Sequence, residues 1–441
     1  MNAAKPEPVR PAGHQPVDSR PFFLEAAAAD ASHSAMARGL QGSEILKIAA
    51  EVRALKAGGR EVCNLTVGDF DPLQFAPPGQ LITDTEAALR AGHTNYPPSD
   101  GVLELRQAVA RYYEQELGLR YPVESVLIAS GARPILYGAY GTVLDPGDAV
   151  IYPVPSWNNN HYVHLFAARP IVVPVSREYG FHPTAADVRP HLRDARLLVV
   201  NSPQNPTGTV IAPQQLAELT QAVVDENKRR QQTGQKALFL LYDQVYWSLT
   251  FGSAKHCTPV ELVPESAPYV ILLDAISKSF AATGMRVGWA VASPPLIARM
   301  RDFLGHVGAW APRAEQVATA KWLDAGEARH AWQRTFSAQL QQRLDLLYEG
   351  CRALARDGLP VDVIAPQGAI YLSVRFDLIG KRFASNEAIR RHLLEQAGMA
   401  VVPFQAFGLR EESGWFRLSV GAVSVRDIEL MLPRLRAALQ G

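Results

Sequence analysis

The sequence predicts an α/β protein with a large domain on a mostly parallel seven-stranded sheet and a smaller α+β domain behind it. Three observations carry this. Across residues 125–293, short apolar runs alternate with longer amphipathic ones, the pattern of parallel strands joined by crossover helices. Beyond about residue 314 the alternation gives way to long helical periodicity and then to strand-like runs. At 441 residues the chain is also long for one hydrophobic core, so two domains are expected.

In chain order, residues 1–21 carry prolines at 6, 8, 11, 16 and 21 and are expected to form a flexible tail. Residues 22–75 follow as an arm that contributes part of the small domain, 76–315 form the large domain and 316–441 the small one. Helices are predicted over 101–117, where Val102, Leu105 and Val109 recur at helical spacing, and over 213–230. The seven strands are expected at 125–129, 148–152, 170–173, 196–201, 237–242, 270–274 and 287–292, each a short apolar run. A long helix over 328–356 and strands over 369–376 and 415–420 complete the small domain.

Charge excludes several functions. Forty-four basic against 43 acidic residues leave a net charge of +1, which offers no field for a polyanion, so nucleic acid is not expected as a partner. Three cysteines, Cys63, Cys257 and Cys351, lack metal-knuckle spacing and are odd in number for a disulfide framework, which suggests a reducing compartment. The first residues lack the apolar run of a secretory signal, and no later stretch approaches the ~20 apolar residues of a membrane span. A cytoplasmic protein without a membrane partner is the expectation. His161 and His164 are read as partly exposed histidines of a helix, and no metal site is expected.

In an open parallel sheet, ligands collect beyond the carboxyl ends of the strands. Lys278 stands there, after the apolar run 270–273, with Arg286 eight residues on. A lone lysine is ordinarily a solvated charge, but other segments supply the parts of a site. Ser130-Gly131-Ala132 follows a strand and opens a helix, so its N–H groups and the helix end form a phosphate seat to which Arg286 adds a guanidinium clamp. Asp243 ends a very apolar strand, where a carboxylate needs a cationic partner such as a protonated pyridine nitrogen. Tyr246 and Asn205, the latter in a prolyl turn, are placed to reach a ring oxygen, and Trp157 to stack on a ring. Arg417 lies inside an apolar strand and needs an anion; Gly68 offers backbone without an obstructing side chain.

Asn205-Pro206-Thr207-Gly208, then Asp243 and Tyr246, then Ser277-Lys278 with Gly284-Met285-Arg286-Val287-Gly288, form an ordered set. With it the chain resembles the class I/II aminotransferases of pyridoxal 5'-phosphate fold type I, the aspartate aminotransferase superfamily, over residues 62–425. The resemblance implies pyridoxal 5'-phosphate as cofactor and Lys278 as the Schiff-base lysine and proton carrier. It makes Asp243 the partner of the pyridine nitrogen, and Tyr246 and Asn205 the ligands of the ring oxygen. Ser130, Gly131, Ala132, Ser277 and Arg286 become cofactor contacts and Trp157 the stacking aromatic. Arg417, Gly68 and Asn205 become substrate contacts, and Tyr96, in Asn95-Tyr96-Pro97, corresponds to a tyrosine that reaches the phosphate of a neighbouring subunit. The implied assembly is a homodimer with shared active sites.

The implied reaction is a ping-pong transfer of an amino group between an L-amino acid and a 2-oxo acid. The alternatives are a β- or γ-eliminating lyase of the same fold and, outside enzymes, a ligand-sensing regulator that binds the cofactor. Two departures bear on specificity. Ala275 stands where many relatives have a phosphate-binding serine. Gly308-Ala309-Trp310-Ala311-Pro312-Arg313 replaces the Ser/Thr-Ser-Asn-Pro of many members, with Trp310, Arg313 and Phe22-Phe23-Leu24 as candidates for lining the side-chain pocket.

Overall fold

The computed structural model describes residues 17–40, 42 and 44–441. Residues 1–16 of the proline-rich tail lie outside them. The chain divides into two units, one ending at Gln41 and one running from Gly42 to Gly441. The first holds a 3-10 turn, Arg20–Phe22, and two short helices, Ala26–Ala31 and Ala35–Gly39. The Ser34 side chain caps the second helix by accepting the Ala37 N–H at 3.1 Å. None of these helical residues is buried, and Phe22, Phe23 and Leu24 are exposed.

The second unit is built on a seven-stranded sheet in the order Val126–Ala129, Gly288–Val291, Val270–Ala275, Phe239–Asp243, Ala195–Asn201, Ala149–Val154, Arg169–Pro174. All seven predicted strands are present. Six run in one direction; only Gly288–Val291 is reversed, pairing antiparallel with both its neighbours. Residues 276–287, which lead into it, hold only a one-turn helix and a 3-10 turn, too little for the crossover a parallel return requires.

Both faces of this sheet are covered, which is why its strands are apolar throughout rather than alternating. Successive residues feed two cores: Leu197, Leu241, Ile271 and Leu273 pack on one side, and Leu198, Leu240, Tyr242 and Leu272 on the other. Helices Leu103–Leu117 and Pro213–Thr233 pack into the second core; left-handed Gly118 and Gly234 end them, and Pro213 starts the latter. Arg169–Pro174 is an edge strand with mostly exposed side chains.

A four-stranded antiparallel sheet, ordered Val402–Pro403, Trp415–Ser419, Tyr371–Phe376, Val361–Val363, packs with the 30-residue helix Glu327–Arg356. A Ser424/Asp427 capping box starts the last helix, Val425–Gln440. Cys63–Asn64 pairs in parallel with Met399–Ala400, a link between the two ends of this unit that two-residue strands leave unmarked in the sequence. Among the described residues no helix is long and apolar enough to cross a membrane, and no group of His, Cys, Asp and Glu could hold a metal. His161 and His164 lie on the helix Asn159–Leu165.

Candidate active site

The parallel strands of the large sheet end together, and the predicted residues sit at those ends. Asp243 is the last residue of its strand. Lys278 lies in the one-turn helix Ile276–Ser279 directly after Ala275. Asn205 follows the strand Ala195–Asn201, Trp157 follows Ala149–Val154, and Ser130 and Gly131 join Val126–Ala129 to the helix Ala132–Val143.

Lys278 donates from Nζ to the Gly68 carbonyl at 2.5 Å, and its ammonium lies 5.6 Å from the Phe70 ring centroid and 5.9 Å from that of Tyr246. Desolvation lowers its pKa to about 8, and nearby Arg417, Arg133 and Arg286 act in the same direction against Asp69. Asp243 accepts a single hydrogen bond, from the Val245 N–H at 3.1 Å. Burial raises its pKa to about 6. No Lys, Arg or His among the described residues forms an ion pair with it.

Gly131 has φ +87°, a conformation open to glycine, and a Cβ built there would stand 2.3 Å from Arg286 Nη2. The Arg286 guanidinium donates to the carbonyls of Thr283 (2.6 Å) and Ser130 (3.1 Å) and meets no carboxylate among the described residues. Gly288 closes the same corner: its Cβ would be 2.7 Å from the Gly131 carbonyl carbon and 3.0 Å from the Ala132 nitrogen. Chain and helix end thus bring the first turn of the helix at Ala132 against one guanidinium, the build of an anion seat, while the Ser130 and Gly131 N–H groups bond the carbonyls of Ala309 and Ala129. Ser277 is buried beside Lys278.

Arg417, 1% exposed, lies on the middle of the strand Trp415–Ser419, opposite Ser373 on one side and Val402 on the other. It donates to Asn205 Oδ1 at 3.1 Å and to the Thr66 carbonyl at 2.5 Å, while its Nε is buried without a hydrogen-bond partner. It forms no ion pair among the described residues, and burial lowers its pKa. The Gly68 Cα faces the same place, where a Cβ would stand 2.9 Å from the Tyr371 hydroxyl and 3.5 Å from Arg417 Nη1.

Sequence reasoning missed three contributors. The Tyr371 hydroxyl shares a 2.6 Å hydrogen bond with that of Tyr246, and its ring lies 4.8 Å from the Arg417 guanidinium. Thr66 contributes only a carbonyl. The Arg133 guanidinium lies 4.7 Å over Trp157. Tyr371 follows Gly368-Ala369-Ile370 at the start of a strand, a signal too common to single it out, and Arg133, in the first turn of its helix, carries no signal of its own. Tyr96 stands apart, 80% exposed and edge-on to Trp310 at 5.2 Å, and Arg313 hydrogen-bonds Asn95.

Three cations, Lys278, Arg286 and Arg417, therefore share one crevice without an ion-paired carboxylate among the described residues, beside a half-buried carboxylate, Asp243, that no described cation pairs with. A ligand with a phosphate and a protonatable ring nitrogen, accompanied by a substrate carboxylate, supplies each missing charge. The residues fit pyridoxal 5'-phosphate. A sheet of this order with such a site defines a fold type I pyridoxal-phosphate enzyme.

The family profile "Aminotransferase class I and II" matches residues 60–435. The chain is 31% identical over 405 residues to an aspartate aminotransferase of Rhizobium meliloti (strain 1021), covering 90% of this chain and 93% of that one. It is 32% identical over 408 residues to a probable aspartate/prephenate aminotransferase of Thermus aquaticus, covering 91% and 98%. The crystal structure of the Rhizobium meliloti aspartate aminotransferase superposes with a TM-score of 0.84 at 28% identity, covering 93% of this chain and 99% of that one. The Thermus thermophilus aspartate aminotransferase with maleate gives 0.83, also at 28%, covering 92% and 100%. The chain belongs to the class I and II aminotransferases. It is a transaminase dependent on pyridoxal 5'-phosphate, acting on an amino acid and a 2-oxo acid, and the comparisons do not favour elimination or ligand sensing.

Proposed function

We propose that this aminotransferase works with Lys278 as its covalent and proton-carrying residue and Arg417 as its reader of the substrate α-carboxylate, in a homodimer that shares its sites. The observation that carries this reading is the set of unpaired charges in one crevice: Lys278, Arg286 and Arg417 against Asp243. When bound, the cofactor supplies an aldehyde that condenses with amines and a ring that takes up the electron pair released at Cα.

Lys278 supplies the amine that bonds the aldehyde. Its lowered pKa leaves a share of it neutral near pH 8, so the amine can accept the Cα proton once the substrate has displaced it. Asp243 gains its missing cation from the ring nitrogen and stays ionised, which keeps that nitrogen protonated. The cradle of Ser130, Gly131, Ala132 and Arg286 holds the phosphate, with Ser277 near it. Asn205, its Oδ1 engaged by Arg417, keeps its amide N–H groups for the ring oxygen, and Tyr246 offers its hydroxyl there too. Trp157 flanks the ring.

Arg417 has a free Nε and a forked guanidinium for the α-carboxylate, and Gly68 leaves room for that group. Tyr96, exposed in the protomer, is assigned to the neighbouring subunit's phosphate. The decisive test is Lys278→Ala: borohydride-reducible attachment of the cofactor and turnover should both vanish. Full turnover in that variant would sink the assignment. Arg417→Leu should raise KM for amino and oxo acids by about a hundredfold, the scale of a buried charge-assisted pair. Unchanged affinity would remove Arg417 from the site.

A further inference from the structure

The segment that carries Tyr246 is held from behind the sheet. Residues 244–249 form a turn outside helix and strand, yet they bear Tyr246, and their Val245 N–H bonds the Asp243 carboxyl at 3.1 Å. Two hydrogen bonds anchor this turn to the strand Val270–Ala275, which leads directly into the short Lys278 helix. The Gln244 N–H bonds the Leu273 carbonyl at 3.0 Å, and the Trp247 indole Nε1–H donates to Asp274 Oδ2 at 2.8 Å. The anchors are consecutive residues of one strand. Asp274 is wholly buried, and its Oδ1 accepts the Ala275 N–H at 2.7 Å, so each carboxyl oxygen meets one donor. A carboxyl this far withdrawn from water keeps its place only with such donors.

Tyr246 and Trp247 serve opposite faces of the sheet. Tyr246 packs into the core that holds Leu273 and Ala275, where its hydroxyl meets that of Tyr371. Trp247 packs against the other core, its ring centroid 5.5 Å from that of Tyr112. Strand alternation turns Asp274, between Leu273 and Ala275, to that second face, where it stands opposite Trp289. We propose that Asp274 and Trp247 are positioning residues, whose hydrogen bond ties the Tyr246 turn to the strand of Lys278 and so holds the Tyr246 hydroxyl at the cofactor's ring oxygen. This rests on the reading of Lys278 and Tyr246 as cofactor-binding residues. A hydroxyl donated to the ring oxygen competes for it with the proton on the nitrogen that Lys278 shares with the cofactor, so withdrawing the hydroxyl makes that proton harder to remove.

The test is a pH titration of the holoenzyme's visible absorption, whose midpoint reads that proton without turnover. Tyr246→Phe sets the scale and should raise the midpoint by about one pH unit, the size of one hydrogen bond to a charged group. Trp247→Phe removes the indole donor and keeps an aromatic ring beside Tyr112; it should raise the midpoint by about half a unit. The double variant should rise no further than Tyr246→Phe alone, because both act through one hydroxyl. Trp247→His, whose Nε2–H can stand where the indole Nε1–H stood, should leave the midpoint at or below the wild-type value although it fills less of the space beside Tyr112. A role in packing alone predicts the reverse order, with Trp247→His moving the midpoint more than Trp247→Phe. That order, additive shifts in the double variant, or an unmoved midpoint in Trp247→Phe would overturn the proposal and leave the aminotransferase reading standing. If Tyr246→Phe itself leaves the midpoint unmoved, the parent reading of Tyr246 falls, and this one with it.

Discussion

Asp243 shows how one residue stores the need for a ligand. Its half-buried carboxyl has one N–H donor, and desolvation raises its pKa to about 6, above the ordinary 3.8. Between those values the folded chain binds a proton that the unfolded chain has released. The contribution of Asp243 to stability therefore falls as pH rises through this window, and the full cost, at most about 3 kcal/mol, is felt above pH 6. In the cofactor-free protein Asp243→Asn should thus raise stability at pH 7 relative to pH 5, measured by urea unfolding. The same variant should bind pyridoxal phosphate at least tenfold more weakly by fluorescence titration. Lys278 contributes with its own sign: its pKa of about 8 lies below the ordinary 10.5, so its share of stability grows as pH rises from 8 towards 10.5.

The residues legible in the sequence are those whose neighbours in the chain announce them. Lys278, Asp243 and Asn205 each end or follow an apolar run, and Arg286 and Gly131 sit in small-residue turns. Tyr371 was not legible as a site residue. Tyr371 meets Arg417 only through the pairing of Tyr371–Phe376 with Trp415–Ser419.

At the scale of elements, the strand-to-helix turn at Gly131 is a tight junction of the site. A side chain there meets both a positive φ and the Arg286 guanidinium 2.3 Å away. Gly131→Ala should cost about 1–3 kcal/mol of stability and weaken cofactor binding at least tenfold, seen as a lower melting temperature and a higher Kd. Gly68→Ala meets the Tyr371 hydroxyl instead, and should raise KM for the amino donor while sparing cofactor affinity. The seven strands could be read within two residues because burial on both faces writes a solid apolar run. The antiparallel direction of Gly288–Val291 could not, because direction depends on the length and path of the connection and leaves no mark on the strand's composition.

For the whole molecule, the homodimer reading has a test that mutation of one site cannot mimic. The chain should elute at twice its 48.2 kDa. Tyr96→Ala should lower cofactor affinity although Tyr96 is exposed in the protomer. Mixing Tyr96→Ala with Lys278→Ala subunits should restore activity, because each mixed dimer holds one site with both residues intact. No complementation would mean that each subunit works alone.

The edge strand Arg169–Pro174 bears on how such a protein stays in solution. Arg169 and Val175 send their N–H groups inward, to Asp148 and Val154, so the alternate positions 170, 172 and 174 are those that face outward. Two of the three are proline. Only Val172 has an N–H to offer, and a foreign strand would find one donor where it needs a row of them. The border of the sheet is thereby closed to runaway stacking of copies. Replacing Pro170 and Pro174 with valine would open it, and light scattering on warming would detect the aggregates.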